Sequence, residues 1–294
     1  MRNKNLIGTG VAVVTPFTKK GEVDTFALAN LVKHLHTGKV EYIVALGTTG
    51  ETATLSKDEK QLVIETIIKA NANKLPLVIG IGGNNTAEVV DTIKKTDLKP
   101  FEAILSVAPY YNKPNQQGYH QHYKAVAQST TKDIILYNVP GRTGSNVTWE
   151  TQVKIATQFK NIVATKEASG NIEQIMKIIK NKPKDFMVIS GDDCLALPII
   201  AAGGVGVISV VAQAFPKDFS NMVRLCLKQK FTDAQKLHFK LLDIITQIFI
   251  DGNPGGIKEA LRILNICNSY VRLPLCEPNK EVKQTLQQLI KSYT

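Results

Sequence analysis

Eight short apolar runs, each followed by a stretch of helical periodicity, recur along the 294 residues and limit the fold more than any other feature. They span 8–14, 42–46, 77–81, 103–107, 134–138, 162–166, 186–190 and 205–209. Most hold β-branched residues, and glycine, proline or polar clusters close most of them, the pattern of buried strands. Helical stretches at 25–36, 57–71, 86–96, 116–129, 149–158, 172–179 and 195–202 alternate with them. Leu62, Ile64, Ile67 and Ile68 keep amphipathic spacing, as do Ile172, Ile175, Ile178 and Ile179. Alternation this regular predicts βαβ units and a parallel sheet. Eight units without a GxGxxG opening predict a closed (β/α)8 TIM barrel in preference to a doubly wound open sheet. Gly80-Ile81-Gly82-Gly83-Asn84-Asn85 lacks the last glycine of that fingerprint and reads as a strand-end turn.

After Ser209 no further strand is predicted, and 215–228, 232–249, 256–265 and 279–291 read as helices, with Thr232-Asp233 and Asn279 as caps. The expected division is a barrel, 1–214, and a carboxy-terminal helical appendage, 215–294. No Pro/Gly/Ser linker separates them, so the appendage is expected to pack on the barrel.

Net charge is +11, from 36 basic and 25 acidic residues, but the lysines are spread over every helical stretch and do not interleave with aromatics. That argues against a nucleic-acid stripe and leaves a field that draws small anions. Cys194, Cys226, Cys267 and Cys276 form no CxxC pair or zinc spacing. The basic start, Met1 to Asn5, leads into a short run broken by Gly8 and Gly10, unlike a signal peptide. No stretch approaches about 18 uninterrupted apolar residues, so no membrane span is expected. The expectation is a reduced, cytoplasmic protein.

In a barrel, the carboxyl ends of the strands converge on one pocket. The sixth run, Asn161-Ile162-Val163-Ala164-Thr165-Lys166, ends in a lysine whose side chain shares a face with Ala164 and Ile162 by alternation. Burial disfavours an ammonium, and a neutral amine attacks ketones. A lysine just past a strand end that snorkels to water gives the same pattern. The second run ends in Gly47-Thr48-Thr49-Gly50-Glu51, whose hydroxyls and amides suit a carboxylate or an ordinary capped turn. The fourth ends in Tyr110-Tyr111 inside a proline-bracketed loop, equally an oligomer contact. The fifth ends in Tyr137-Asn138-Val139-Pro140-Gly141-Arg142-Thr143-Gly144, where Tyr137 has the parity of Ile135 and Arg142 falls at the rim. Tyrosine is otherwise core and arginine otherwise solvated. Gly191-Asp192-Asp193 closes the seventh run, and its acidic pair fits helix capping better than a metal. His34/His36 and His120/His122 are two apart, so neither pair shares a helix face to bind one, and no metal is expected.

Four of these motifs, in this order, resemble the dihydrodipicolinate synthase family: Gly47 to Glu51, Tyr110-Tyr111-Asn112-Lys113-Pro114, Tyr137 to Gly144, and Lys166-Glu167-Ala168. That family lies in the pyruvate-dependent class I aldolase superfamily, with N-acetylneuraminate lyase, and the resemblance spans essentially the whole chain. It implies condensation of pyruvate with L-aspartate 4-semialdehyde to 4-hydroxy-tetrahydrodipicolinate, the committed step of diaminopimelate and lysine biosynthesis. Lys166 would form a Schiff base and Tyr137 would shuttle protons through Thr48 and Tyr111, with Tyr111 contributed by a neighbouring subunit of a homotetramer. Thr49 would hold the pyruvate carboxylate, Arg142 would clamp that of the semialdehyde, and Gly191 and Ile208 would line the pyruvate end. No cofactor is implied. Some members of the family bind L-lysine at the dimer interface, a pattern partly matched by Thr52, Ala53, Leu55, Asn84, Glu88 and Tyr110. Lys57 and Lys60 stand where some inhibited members carry histidine, so weak or absent lysine inhibition is expected. The rival expectations are a sister aldolase cleaving a sugar acid, which would not need Arg142, a non-catalytic scaffold barrel, and a basic nucleic-acid binder.

Overall fold

The computed structural model describes residues 3–293. Eight parallel strands close into a barrel in sequence order: β1 (Gly8–Ala12), β2 (Tyr42–Ala45), β3 (Leu77–Gly80), β4 (Ala103–Val107), β5 (Asp133–Asn138), β6 (Ile162–Glu167), β7 (Met187–Ser190) and β8 (Gly206–Ser209). Around and beyond them lie α1 (Thr25–Thr37), α2 (Lys57–Asn71), α3 (Thr86–Lys95), α4 (Gln116–Gln128), the single turn α5 (Pro140–Thr143), α6 (Trp149–Gln158), α7 (Ile172–Asn181), α8 (Ala196–Ala201), α9 (Pro216–Leu227), α10 (Phe231–Gln247), α11 (Gly255–Ile263) and α12 (Lys280–Tyr293). The TIM-barrel expectation is met.

Local signals account for most helix starts. Ser56 and Glu59 form a reciprocal capping box on α2, and Asp24, Asn115 and Asn171 accept from the first-turn amides of α1, α4 and α7. Asn279 caps α12 as expected, accepting from Val282 N at 2.9 Å. Thr232 does not cap α10. That helix begins a residue earlier, at Phe231, and its cap position Lys230 makes no side-chain bond.

Apolar residues form two layers, because each strand is covered on both faces. The larger layer lies between the strands and the helices, and the smaller fills the barrel with Tyr42, Val44, Leu105, Ile135, Met187 and Ile189 among others. Where β8 meets β1, Gly206 pairs with Gly8, and a Cβ on Gly206 would stand 2.0 Å from the Gly8 carbonyl oxygen. Only glycine lets these two backbones close the ring.

One irregularity alters the expected faces of β6. Its register against β5 slips, with Ile134 opposite Ile162 but Ile135 opposite Ala164. Ala164 therefore shares the interior with Lys166, whereas Ile162 turns to the outer layer and Val163 fills the inner one. Strict alternation fails at that bulge.

After β8, α9 packs on α8, β1 and α1, α10 on α9, and α12 on α10 and α11. Among the described residues no helix is long and apolar enough to cross a membrane.

Candidate active site

Lys166 and Glu167 are neighbours on β6 and project to opposite sides of the barrel wall. Lys166 faces inward and is 5% exposed. Its Cα registers with Tyr137 on β5 and Ile189 on β7, and its Nζ lies 4.1 Å from the Tyr137 ring centroid. Among the described residues it has no ion-pair partner. Gly191 makes room for its stem, since a Cβ there would stand 3.0 Å from Lys166 Cε. Ile208, on β8, belongs to the same interior cluster as Tyr137 and Ala164.

Glu167 faces outward, fully buried. Its carboxylate accepts from Asn138 Nδ2 (2.9 Å), Gln152 Nε2 (2.7 Å), Gln174 Nε2 (3.2 Å) and Ser169 N (3.1 Å). Burial raises its pKa above the usual carboxylate range, and these donors oppose the rise. Asn138 and Gln174 also bond Asn146, so the network ties β5, β6, α6 and α7 to the loop that carries Arg142. Pro140, with its fixed φ at the first helical position, starts the one-turn α5, and Gly144 ends it at φ +72°. Arg142 is exposed at the rim, its Nη2 donating to the Asn253 carbonyl at 3.3 Å.

The turn after β2 is a 3-10 turn, Thr48–Gly50, that buries Thr49 and exposes Thr48. Thr49 Oγ1 accepts from Asn253 Nδ2 at 2.9 Å. The next residue but one, Glu51, is buried with φ +53°, a left-handed conformation that costs about 1 kcal/mol or more outside glycine. Its carboxylate accepts from Lys258 Nζ at 2.5 Å and from Arg272 N at 3.0 Å, which fixes the turn from the far side. Burial pulls the Lys258 ammonium below its ordinary pKa, and Glu51 opposes this.

Tyr111 is 87% exposed at φ +70°, in a loop joined to Asn84 by a 2.9 Å bond from Asn112 Nδ2. Among the described residues no hydrogen bond links the side chains of Thr48, Tyr111 and Tyr137. Tyr110, on the same loop, is 41% exposed. Thr52 and Ala53 lie on a second 3-10 turn, Thr52–Thr54, with Leu55 buried after it. Lys57 is exposed and Lys60 half-buried on the first turn of α2, and Glu88 is exposed on α3.

The acidic pair after β7 splits its duties. Asp192 Oδ1 caps the turn before α8, accepting from Cys194 N at 2.9 Å. Asp193 instead straps β7 to the end of β8, accepting from Val210 N and Val211 N at 3.0 and 2.9 Å, and burial pushes its pKa up to about 6.

Three contributors had no sequence signal toward the site. Asn253 and Lys258 lie more than 200 residues from their partners Thr49 and Glu51, and Glu167 reads locally as the residue after the lysine. Asn253-Pro254-Gly255-Gly256 signals a turn between helices and nothing about β2.

A buried amine at a strand end beside a phenol suits an aldolase-type lyase on a (β/α)8 barrel. The family model described as the dihydrodipicolinate synthetase family matches residues 5–293. The 4-hydroxy-tetrahydrodipicolinate synthase of Flavobacterium psychrophilum is 54% identical over 285 residues, 97% of each chain. Among solved structures, dihydrodipicolinate synthase from Aquifex aeolicus superposes with a TM-score of 0.94 at 38% identity, covering 98% of both chains. The enzyme of Cyanidioschyzon merolae, solved with lysine bound, gives 0.94 at 36% identity over 99% of both. The chain belongs to the dihydrodipicolinate synthetase family.

Proposed function

We propose that the barrel, residues 1–214, condenses pyruvate with L-aspartate 4-semialdehyde through a Schiff base on Lys166, with residues 215–294 packed on it. The product is 4-hydroxy-tetrahydrodipicolinate, and the step commits carbon to diaminopimelate and lysine. The observation that carries this reading is Lys166 itself, buried, without a counter-ion among the described residues, and 4.1 Å from the Tyr137 ring.

Neutral Nζ adds to the keto carbon of pyruvate, and loss of water leaves an iminium. That cation is the electron sink, so the methyl group gives up a proton and an enamine forms without any cofactor. Tyr137 moves these protons, with Thr48 and Tyr111 as relay, and positioned transfer of this kind is worth about 10²–10⁴ in rate. Thr49 and its turn hold the pyruvate carboxylate, while Gly191 and Ile208 wall that end. The enamine carbon then attacks the aldehyde, and Arg142 takes the second carboxylate in a bidentate clamp. The amine of the new intermediate displaces Lys166 and closes the ring. A side chain as exposed as Tyr111 suits a relay completed by a second copy, in a tetramer built as a dimer of dimers.

Lys57 and Lys60 meet any diamino acid at the Tyr110–Asn84 surface with like charge. Repulsion of even about 1.4 kcal/mol weakens binding about tenfold, so L-lysine inhibits weakly or not at all. Full inhibition of the purified enzyme by submillimolar lysine would refute this.

A sister aldolase acting on a sugar acid would share Lys166 and Tyr137 but not need Arg142. Borohydride reduction with pyruvate, followed by mass mapping, should place a three-carbon adduct on Lys166. Pyruvate with L-aspartate 4-semialdehyde should then turn over where pyruvate with a sugar aldehyde does not. Tyr137→Phe should lower turnover, and Arg142→Ala should raise the semialdehyde KM while leaving the adduct intact. An adduct elsewhere, or none on active protein, overturns the reading.

A further inference from the structure

We infer that Asn253 is a positioning residue that directs the Thr49 hydroxyl, making it a donor to the keto-acid carboxylate. The inference rests on the proposed role of Thr49. Asn253 sits in the turn between α10 and α11, is 7% exposed, and donates from Nδ2 to Thr49 Oγ1 at 2.9 Å. A hydroxyl carries one proton to give and two lone pairs to accept with. The amide occupies a lone pair of Thr49, and among the described residues nothing accepts the hydroxyl proton. That proton is therefore directed away from Nδ2 and stays free for an acceptor arriving in the barrel mouth.

The reverse amide orientation would take the proton on Oδ1 and bury an unpartnered NH2. The orientation present pairs one amide hydrogen with Thr49 Oγ1 and leaves the Oδ1 acceptor without a hydrogen bond among the described residues. The main-chain carbonyl of the same residue accepts from Arg142 Nη2. Asn253 thus reaches one proposed carboxylate site through its side chain and the other through its backbone, and a side-chain substitution separates the two.

The test is borohydride trapping of the pyruvate adduct on the full chain, read by mass against pyruvate concentration. Thr49→Val removes the donor and should raise the half-saturating concentration roughly tenfold. Asn253→Ala frees the hydroxyl to turn and should raise it about threefold. Asn253→Asp supplies an acceptor that captures the Thr49 proton, and should raise it about thirtyfold, well beyond the alanine variant. A side chain that only filled space would show the opposite order, because aspartate is the closer isostere. In a Thr49→Val background the aspartate effect should shrink, there being no proton to capture. An aspartate variant no worse than alanine, or an effect undiminished without the Thr49 hydroxyl, overturns the inference. An unchanged pyruvate dependence in Thr49→Val alone removes the role of Thr49, a failure distinct from that of Asn253. If the aspartate variant does not fold, coupling between Asn253→Ala and Thr49→Val in a double-mutant cycle supports the inference, and additivity overturns it.

Discussion

Lys166 and Lys258 are both buried amines resting on an aromatic face, with Nζ 4.1 Å from the Tyr137 centroid in one case and 4.2 Å from Phe17 in the other. They differ in what else they touch. Lys258 is bonded to the Glu51 carboxylate and the Tyr270 carbonyl, with both members of the ion pair at 0% side-chain exposure. Lys166 has neither contact. Burial by itself therefore does not mark a reactive lysine, and the difference lies in the partners. An amine tied to a carboxylate and a carbonyl is held in place by those bonds, whereas one with neither is free to meet a substrate carbonyl. The acidic partner of β6, Glu167, is not an exception, since it faces the other side of the wall and is saturated by amides.

The largest effect that can break this contrast is on the adduct. Lys166→Ala should abolish trapping by borohydride, with thermal stability held within about 1 kcal/mol, because no buried partner is stranded. Lys258→Met should do the reverse. It strands a buried Glu51 carboxylate and should cost about 3–5 kcal/mol by denaturant unfolding, while the adduct still forms on Lys166. Adding Glu51→Gln should recover part of that loss. An adduct mapped to Lys258, or a Lys258→Met variant as stable as the parent, would erase the distinction.

Which lysine was which could be read only in part from the sequence. Eight strand–helix units and a lysine at the end of the sixth strand follow from periodicity, and Tyr137 lies on the predicted interior face. The bulge that turns Ile162 outward does not, because register against a neighbouring strand is set by pairing and not by local alternation. Glu51 closed a recognisable glycine-rich turn, yet its ion pair spans 207 positions. Asn253 likewise sits in a helix connection with no strand nearby in sequence. Contacts at that separation become visible only when the barrel has closed and the carboxy-terminal helices have docked.

A third buried base sharpens the contrast on the pH axis. His122 is 3% exposed, with Nδ1 2.9 Å from Thr86 Oγ1 and Nε2 without a partner among the described residues. Burial pushes its pKa down from 6.5 to about 4. Between those values the unfolded chain takes up a proton that the folded chain refuses, so stability is full above pH 6.5 and falls with falling pH until about 4. The whole loss should be about 3 kcal/mol. His122→Asn keeps a polar atom toward Thr86 and should flatten that limb of the stability curve. Parallel limbs for parent and variant would assign the acid sensitivity to other groups.

The smallest effect tests how closely the unpaired lysine is held. Lys258 is fixed by hydrogen bonds, but the stem of Lys166 is held by packing, and Gly191 stands against it. A methyl added there would lie 3.0 Å from Lys166 Cε and 2.7 Å from Ala168 Cβ. Both distances are below ordinary contact, and Ala168 can yield only by moving the chain just after β6. Gly191→Ala should therefore cost about 1–2 kcal/mol of stability through overpacking. The stem should be displaced with it, and a displacement near 1 Å at a reacting atom can cost about a hundredfold in rate. Stopped-flow trapping of the pyruvate adduct should accordingly slow by about tenfold or more, with the final extent of labelling unchanged because the amine is still present. A lysine held as Lys258 is, by charge and hydrogen bonds, would resist such a push. A Gly191→Ala enzyme that forms its adduct at the parental rate would mean that Lys166 has slack, and that packing is not what aims it.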